Sequence, residues 1–193
     1  MLAFLTSIYP VTNALQTKLI GIVKHLKVAK WDYVLRAGEV CKNIYFVKSG
    51  LLRCYYDKDG HEVSAWFMRE NDTLVSVDSF YDQIPGDENI QALEDCDLYY
   101  ISFYELELVF NSFMEFNYIG RVLTLKYLRI WTRDLRNIRL MTAEERYQDL
   151  LKRDPDLIRR VLSKYIASYL GMSEATLSRN RKASSKKPRR RRR

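Results

Sequence analysis

Cysteine is scarce in this 193-residue chain, and its three cysteines lie far apart, at positions 41, 54 and 96. An odd, widely spaced set argues against a disulfide framework or a CxxC metal site and suits a reducing cytoplasm, where small buried thiols are expected. No apolar run reaches the roughly 18 residues that a membrane-spanning helix needs, so no membrane partner is expected. Residues 1–10 are apolar but lack a basic start and a small-residue cleavage site, which argues against a signal peptide.

The sequence also lacks the short motifs that mark common enzyme classes. It contains no Walker loop, GxSxG elbow, HExxH or GxGxxG. The neighbouring carboxylates Glu94, Asp95 and Asp97 are expected to be turn and surface residues. We therefore predict that the protein is not an enzyme.

Charge is distributed unevenly along the chain. Residues 1–120 hold 10 basic and 17 acidic side chains, a net charge of −7, whereas residues 121–193 hold 22 and 7, a net charge of +15. Without the ten C-terminal residues, which carry 7 of those 22 basic groups, the rear part still has a net charge of +8. An acidic front and a basic rear indicate a sensing part followed by a part that binds a polyanion.

The hydrophobic pattern changes twice along the chain. Residues 1 to about 26 show helical spacing, about 27–102 show short β-type runs broken by turns, and the remainder is helical again. The turn signal at residues 57–60, DKDG, predicts a β-hairpin. We predict an α+β protein: an N-terminal antiparallel β-roll with flanking helices (residues 1–114), a long helix (115–140), a second helical region (141–183) and a basic disordered tail (184–193).

Residues 164–182 predict two short helices joined by a tight turn. Ile166, Ala167 and Leu170 recur at helical spacing, and Gly171 follows where a helix can end in a left-handed residue. Ser173 can cap the next helix, and Leu177 is its apolar anchor. The side chains left for the exposed side are Thr176, Arg179, Asn180, Arg181 and Lys182. This pattern is typical of a helix-turn-helix that reads a DNA major groove, although other helical hairpins also carry a glycine turn.

The predicted long helix carries an apolar stripe spaced 3, 4 and 3 residues apart, formed by Leu128, Trp131, Leu135 and Ile138. Such a stripe favours a homodimer, because it resembles the seam of a coiled coil. The alternative is that the stripe packs against its own domain. A dimer would place two reading helices about one DNA turn apart.

The order of roll, long helix and helix-turn-helix resembles the Crp/Fnr family of bacterial transcription regulators. Residues 142–146 (TAEER) and 164–171 (KYIASYLG) most resemble a Bacteroidetes branch of it. The resemblance covers about residues 10–182 and also rests on the segments 35–39 (LRAGE), 44–50 (IYFVKSG), the Gly60 hairpin and 92–98 (ALEDCDL). It implies a cyclic nucleotide-binding-type jelly roll, double-stranded DNA as partner and a homodimer, with RNA polymerase and a small-molecule effector as open possibilities.

The predicted roll departs from the ligand-binding pattern of cyclic-AMP-binding members. Their phosphate-binding arginine falls near Gly86 here, and Asp87 and Glu88 follow it. No basic residue lies between Arg69 and Arg121, so a phosphate would meet carboxylates. We predict no cAMP or cGMP binding. A neutral or cationic effector would instead be lined by side chains from Trp66, Phe67, Val77, Asp78, Phe80 and Tyr81, unless these side chains simply fill the core.

Other cofactors of the family are also not expected. The iron–sulfur members use N-terminal cysteines, and this chain has none before Cys41. Haem would need an axial His or Cys, and the only histidines, His25 and His61, are predicted at a helix end and in a hairpin.

The family match assigns roles within the second helix of the helix-turn-helix. Ser173 and Thr176 would face the phosphate backbone, Arg179 would contact a guanine, and Arg181 and Lys182 would touch phosphates. Ala175 replaces a frequent glutamate and can contact only a thymine methyl. Two alternatives remain: a ligand-binding module that acts through protein partners, and a non-specific nucleic-acid binder that uses the basic tail.

Overall fold

The computed structural model describes residues 1–186 of the chain. It divides them into two compact units: residues 1–61 with 65–128, and residues 62–64 with the chain from residue 129 onward. The first unit contains the strands and the second most of the C-terminal helices.

Two four-stranded antiparallel sheets form the roll. The strands are β1 (Lys24–Val28), β2 (Tyr33–Leu35), β3 (Asn43–Ser49), β4 (Leu52–Lys58), β5 (His61–Met68), β6 (Thr73–Leu74), β7 (Glu88–Ala92) and β8 (Cys96–Ser102). One sheet has the order β1-β8-β3-β6 and the other the order β2-β7-β4-β5. Register pairs such as Val47 with Leu98, and Cys54 with Ile90, place buried side chains opposite one another.

The β4–β5 hairpin forms where the turn signal predicted it. Asp59 and Gly60 both have positive φ, 54° and 78°, as a two-residue hairpin turn of the right twist requires. The side chain of Asp57 accepts a hydrogen bond from the N–H of Gly60 at 2.9 Å. Local turn chemistry therefore sets the pairing of β4 with β5.

Helices cover the roll and share its core. They are α1 (Leu2–Ile8), α2 (Asn13–Ile22), α3 (Val77–Asp82) and α4 (Phe103–Ser112). A capping box begins α4, because Ser102 and Glu105 each bond the other's backbone N–H. Leu15, Leu19 and Phe80 are fully buried in the same core as the strands. The cysteines at 41, 54 and 96 are free and buried, as their spacing predicted.

A 27-residue helix, α5 (Met114–Leu140), follows the roll, and the boundary between the two units falls within it, after Leu128. The helices α6 (Ala143–Arg153), α7 (Pro155–Arg160), α8 (Ser163–Tyr169) and α9 (Glu174–Lys186) complete the described chain. A second capping box, Thr142 with Glu145, begins α6. Asp154 leaves helical geometry and caps α7, in which Pro155 is the first residue.

The predicted fold class, an antiparallel β-roll with flanking helices and a helical C-terminal region, is confirmed. Two boundaries differ. Helical spacing predicted a helix to about residue 26, but residues 24–28 form β1, because pairing with β8 outweighs the local pattern. Helix α9 continues to Lys186, so residues 184–186 of the predicted disordered tail are helical; the rest of the tail, residues 187–193, lies outside the described residues.

Within residues 1–186, no helix is both long enough and apolar enough to cross a membrane.

The turn at Gly50 provides a stability test of the roll. Gly50 has φ +103°, and an added Cβ would lie 2.6 Å from Cys96 Sγ and 2.8 Å from the Asp95 carbonyl oxygen. We expect Gly50→Ala to lower the free energy of unfolding by about 2–4 kcal/mol, through positive φ and overpacking together. Gly60→Ala is the control: its φ is +78° but nothing lies within 4 Å, so about 1 kcal/mol is expected. Equal losses in urea unfolding would contradict this assignment.

Candidate nucleic-acid interface

The corner between α8 and α9 is built by the backbone around Gly171. Gly171 has φ +62°. Its N–H bonds the carbonyl of Ser168 at 3.0 Å, and the N–H of Met172 bonds the carbonyl of Ala167 at 3.0 Å. This pair of bonds is a Schellman motif, which ends α8 in the left-handed residue that the sequence predicted.

Helix α9 begins with a side-chain cap and is anchored by one leucine. The Ser173 hydroxyl accepts a hydrogen bond from the N–H of Thr176 at 3.2 Å, so Ser173 caps the helix as predicted. Leu177 is completely buried, as predicted, and fixes which face of α9 turns inward. Glu174 lies in the first turn, where a negative charge suits the helix dipole.

The opposite face of α9 is exposed to solvent. Its residues repeat at spacings of three and four, and they are Ala175, Ser178, Arg179 and Lys182. Three of them were predicted from sequence as interface residues. Ser178 was missed, although its spacing of three residues from Ala175 places it on the same face.

Two predicted contact residues are partly withdrawn from solvent. Thr176 is half-buried, and its hydroxyl oxygen lies 3.0 Å from that of Ser173. Arg181 is also half-buried, and its Nη1 donates to Ser163 Oγ on α8 at 2.7 Å. This bond holds Arg181 against α8, a placement that the sequence did not predict. Asn180, also predicted on the exposed side, is half-buried as well.

Arg146 of α6 joins the end of α5 to the corner between α8 and α9. Its guanidinium donates to three carbonyl oxygens: Nη1 to Met141 at 2.7 Å, Nε to Leu170 at 2.7 Å and Nη2 to Gly171 at 3.2 Å. Carbonyls at helix C-termini have no partner within their own helix, and a cation there also suits the helix dipole. Sequence analysis placed Arg146 in a family motif but gave it no role.

A second polar cluster connects α5, α6 and α8. Tyr169 donates to Asp134 Oδ2 at 2.5 Å, and Arg153 donates to Asp134 Oδ1 at 3.1 Å. Burial and the Asp134 carboxylate raise the pKa of Tyr169 to about 12, so the phenol stays protonated and remains a donor at neutral pH. These bonds keep the helices that support α9 in fixed register.

The predicted effector residues differ in their exposure to solvent. Phe80 is completely buried and stacks edge-on against Phe103 at 5.3 Å, so it fills the core. Val77, Asp78 and Tyr81, on the same short helix α3, are exposed, while Trp66 and Phe67 lie half-buried on β5. Of these six side chains, Phe80 fits the other interpretation given from sequence, namely that the residue fills the core and does not line a pocket.

The position of the family's phosphate-binding arginine is closely packed. The N–H of Gly86 donates to the Glu39 carbonyl at 3.1 Å, and its carbonyl accepts from Gly38 at 2.7 Å. A Cβ added at Gly86 would lie 3.0 Å from Ser79 Cβ and 3.3 Å from Ser76 Oγ. The backbone at this position is therefore engaged within the protein, and its neighbours leave little room for a side chain.

A carboxylate lies close to this segment, on β7. Tyr56 donates its phenol hydrogen to Glu88 Oε1 at 2.6 Å. Burial and Glu88 together raise the pKa of the Tyr56 phenol and of the neighbouring Cys54 thiol. Negative charge at this place would oppose a bound phosphate.

The apolar stripe of α5 faces solvent in the single chain. Leu128, Trp131 and Ile138 are 50%, 52% and 55% exposed, and Leu135 is half-buried. The buried residue on this part of α5 is Asn137, which donates to Asp149 of α6 at 3.1 Å. The stripe is thus not the face by which α5 packs on α6.

Comparison with known proteins identifies the roll. Residues 25–112 match the cyclic nucleotide-binding domain. A search of curated protein sequences found no significant match.

Solved structures share the fold over most of the chain. FixK2 from Bradyrhizobium japonicum is 18% identical, covers 85% of each chain and has a TM-score of 0.71. A mutant of CooA from Carboxydothermus hydrogenoformans is 16% identical, covers 94% of this chain and 84% of its own, and has a TM-score of 0.73. A protein from Eubacterium rectale assigned to the Crp/Fnr family of transcriptional regulators is 17% identical, covers 91% and 84%, and has a TM-score of 0.70.

The Arg146 contacts can be tested by substitution. We expect Arg146→Gln to lower the free energy of unfolding by about 2–4 kcal/mol. The reason is that the carbonyl oxygens of Met141, Leu170 and Gly171 would lose their charged hydrogen-bond donor. Arg146→Lys should retain part of this stability, since one ammonium cannot reproduce the three-armed geometry. Arg159→Gln is the matched control: Arg159 is exposed and pairs with Asp156 three residues earlier, so a loss below about 0.5 kcal/mol is expected. Thermal and urea unfolding would measure the stability of each variant. Equal stabilities of Arg146→Gln and Arg159→Gln would contradict the role assigned to the Arg146 contacts.

Proposed function

We propose that the protein is a dimeric, DNA-binding transcription regulator of the Crp/Fnr type. The observation that carries this proposal is the exposed face of α9, which presents Ala175, Ser178, Arg179 and Lys182 directly after a capped, glycine-ended corner. A DNA partner fits the excess of basic residues in the chain from residue 121 onward. It also fits action in the cytoplasm.

The dimensions of α9 suit a major groove. Its 13 residues correspond to about 20 Å of helix, and a B-DNA major groove is about 12 Å wide, enough to admit an α-helix. In a helix-turn-helix the second helix enters the groove with its N-terminal residues nearest the base edges. Here those residues are Ala175, Ser178 and Arg179.

Each exposed side chain then has a definite chemical role. Arg179 would donate to O6 and N7 of a guanine, the commonest specific contact of an arginine. Ala175 offers only a methyl group, which suits a thymine methyl. Lys182, one turn further along α9, would neutralise a phosphate.

The exposed stripe of α5 supports dimerisation. Leu128, Trp131 and Ile138 lie along one side of the helix, while Asn137 on another side bonds to α6. Burying such a stripe against a second copy would remove large apolar side chains from water. A two-fold dimer would also present two α9 helices to adjacent major grooves of a palindromic site.

The roll supports a sensor that does not use cAMP. Gly86 stands where a phosphate-binding arginine would be, its backbone is bonded within the protein, and Glu88 adds negative charge nearby. An effector, if one binds, would be neutral or cationic. Neither haem nor an iron–sulfur cluster is proposed.

Selection of binding sites from random DNA at about 150 mM salt tests the function. We expect the full-length protein to enrich a palindromic motif, because both halves of a dimer read DNA in the same way. Arg179→Ala should lose preference at one base pair of each half-site and bind the selected site roughly 10- to 100-fold more weakly. Enrichment of no motif, or the same motif from Arg179→Ala, would overturn the proposal.

Two controls separate the alternatives. A chain ending at Lys186 keeps all described residues and should select the same motif with a shallower salt dependence, because it lacks six basic groups. If all affinity disappears with those residues, the protein is a non-specific nucleic-acid binder.

Added cAMP should leave motif and affinity unchanged. Stable dimers without DNA affinity would instead support a module that acts through protein partners.

The dimer is tested by a charge placed in the stripe. We expect Trp131→Glu to convert the dimer to a monomer in light scattering coupled to gel filtration, because it would bury carboxylates in an apolar interface. Arg129→Glu is the control, since Arg129 is exposed and lies about 100° around α5 from Leu128. A wild-type monomer at micromolar concentration, or dissociation by both variants alike, would contradict dimerisation through this stripe.

A further inference from the structure

Three polar side chains form a hydrogen-bonded line along the first turns of α9. They are Ser173, Thr176 and Arg179, spaced three residues apart. The hydroxyl oxygens of Ser173 and Thr176 lie 3.0 Å apart, and Arg179 Nη2 donates to Thr176 Oγ1 at 3.1 Å. The line therefore runs from the helix cap to the exposed guanidinium.

The donors and acceptors in this line are mutually consistent. Ser173 Oγ accepts the backbone N–H of Thr176 at 3.2 Å and has a second lone pair available for the Thr176 hydroxyl hydrogen. Thr176 Oγ1 then accepts from the charged Arg179. A charge-assisted bond of this kind is stronger than a neutral one, and each bond in such a chain polarises the next. These bonds limit the rotamers of the Arg179 side chain by joining its guanidinium to the capped N-terminus of α9.

A long exposed arginine needs such a restraint in order to read a base. An exposed arginine populates many rotamers, and only a few of them let two guanidinium nitrogens bond guanine O6 and N7 together. The loss of side-chain entropy on binding therefore lowers the affinity. The side chain of Ala175, four residues before Arg179 on the same face, has no polar atom that could hold the guanidinium. Thr176, three residues before, supplies the hydroxyl.

We propose that Thr176 is a positioning residue that orients Arg179 and thereby sets the preference for guanine at one base pair of each half-site. The inference rests on the proposed function, because it assigns a specificity determinant to the same interface. It replaces the phosphate contact predicted for Thr176 from sequence. The two roles predict different results. Loss of a phosphate contact would weaken binding to all four bases alike, whereas loss of the positioning contact would lower only the preference for guanine.

The test compares Thr176→Val with Thr176→Ser. Valine keeps the branched shape and the backbone N–H that Ser173 caps, but it has no hydroxyl. Serine keeps the hydroxyl and is the matched conservative control. Affinities would be measured for the DNA site that the wild type selects and for the three single-base variants of that site at one position. That position is the one where Arg179→Ala loses its base preference. Thermal unfolding of each protein would be recorded as well.

We expect Thr176→Val to lower the preference for guanine about five- to tenfold at that position, with preferences elsewhere and affinity for random DNA unchanged. Thr176→Ser should restore most of the preference. An equal loss of affinity for all four bases in Thr176→Val would overturn the inference and assign Thr176 to a phosphate, while leaving the regulator intact. If the wild type selects no site at all, the proposed function fails, and the inference fails with it.

Discussion

The second unit depends on one guanidinium. Arg146 donates to carbonyl oxygens at the end of α5 and at the corner after α8, where the last carbonyls of a helix have no partner within it. Because the corner determines where α9 leaves α8, the direction of the exposed face follows from these contacts. The Asp134 cluster adds a second constraint, since Tyr169 and Arg153 tie α8 and α6 to the same stretch of α5. The exposed side chains of Ala175 and Ser178 on α9 are not among the groups that make these contacts.

Features that are local in sequence could be predicted, and features that depend on distant contacts could not. The Asp59–Gly60 turn, the Gly171 corner, the Ser173 cap and the start of α7 at Pro155 each follow from the conformational preference of one or two residues. Residues 24–26 of strand β1 were predicted as helix, because their partners in β8 lie more than 70 residues further along the chain and leave no trace in the local pattern. In the candidate site, the exposed positions followed from helical spacing and from family resemblance. The partners of Arg146 and Arg181 did not, because hydrogen bonds to oxygens of distant residues leave no periodic signal. The bond between Thr176 and Arg179 depends on the rotamers of the two side chains, which the sequence does not fix.

Helix α5 uses its faces for different purposes. The amide of Asn137 bonds to α6, the phenol of Tyr127 bonds to the roll at Thr73 N–H at 2.7 Å, and the apolar stripe remains at the surface. From sequence alone the stripe had two interpretations, packing on its own domain or on a second copy. The exposure of Trp131 and Ile138 in the single chain is the observation behind the proposed dimer. Polar side chains thus attach α5 to the chain's own elements, while large apolar side chains on another face stay exposed.

The packing around Gly86 limits the evolutionary routes open to this sequence. An arginine there could keep the backbone bonds to Glu39 and Gly38, but its Cβ would lie 3.0 Å from Ser79 Cβ and 3.3 Å from Ser76 Oγ. Even then, the Glu88 carboxylate would remain in place beside Tyr56. An arginine side chain at this position would therefore require Ser76 and Ser79 to shift. No such steric limit applies at Ala175 and Ser178, which are exposed on α9, so substitutions there would leave the packing of the described chain unchanged.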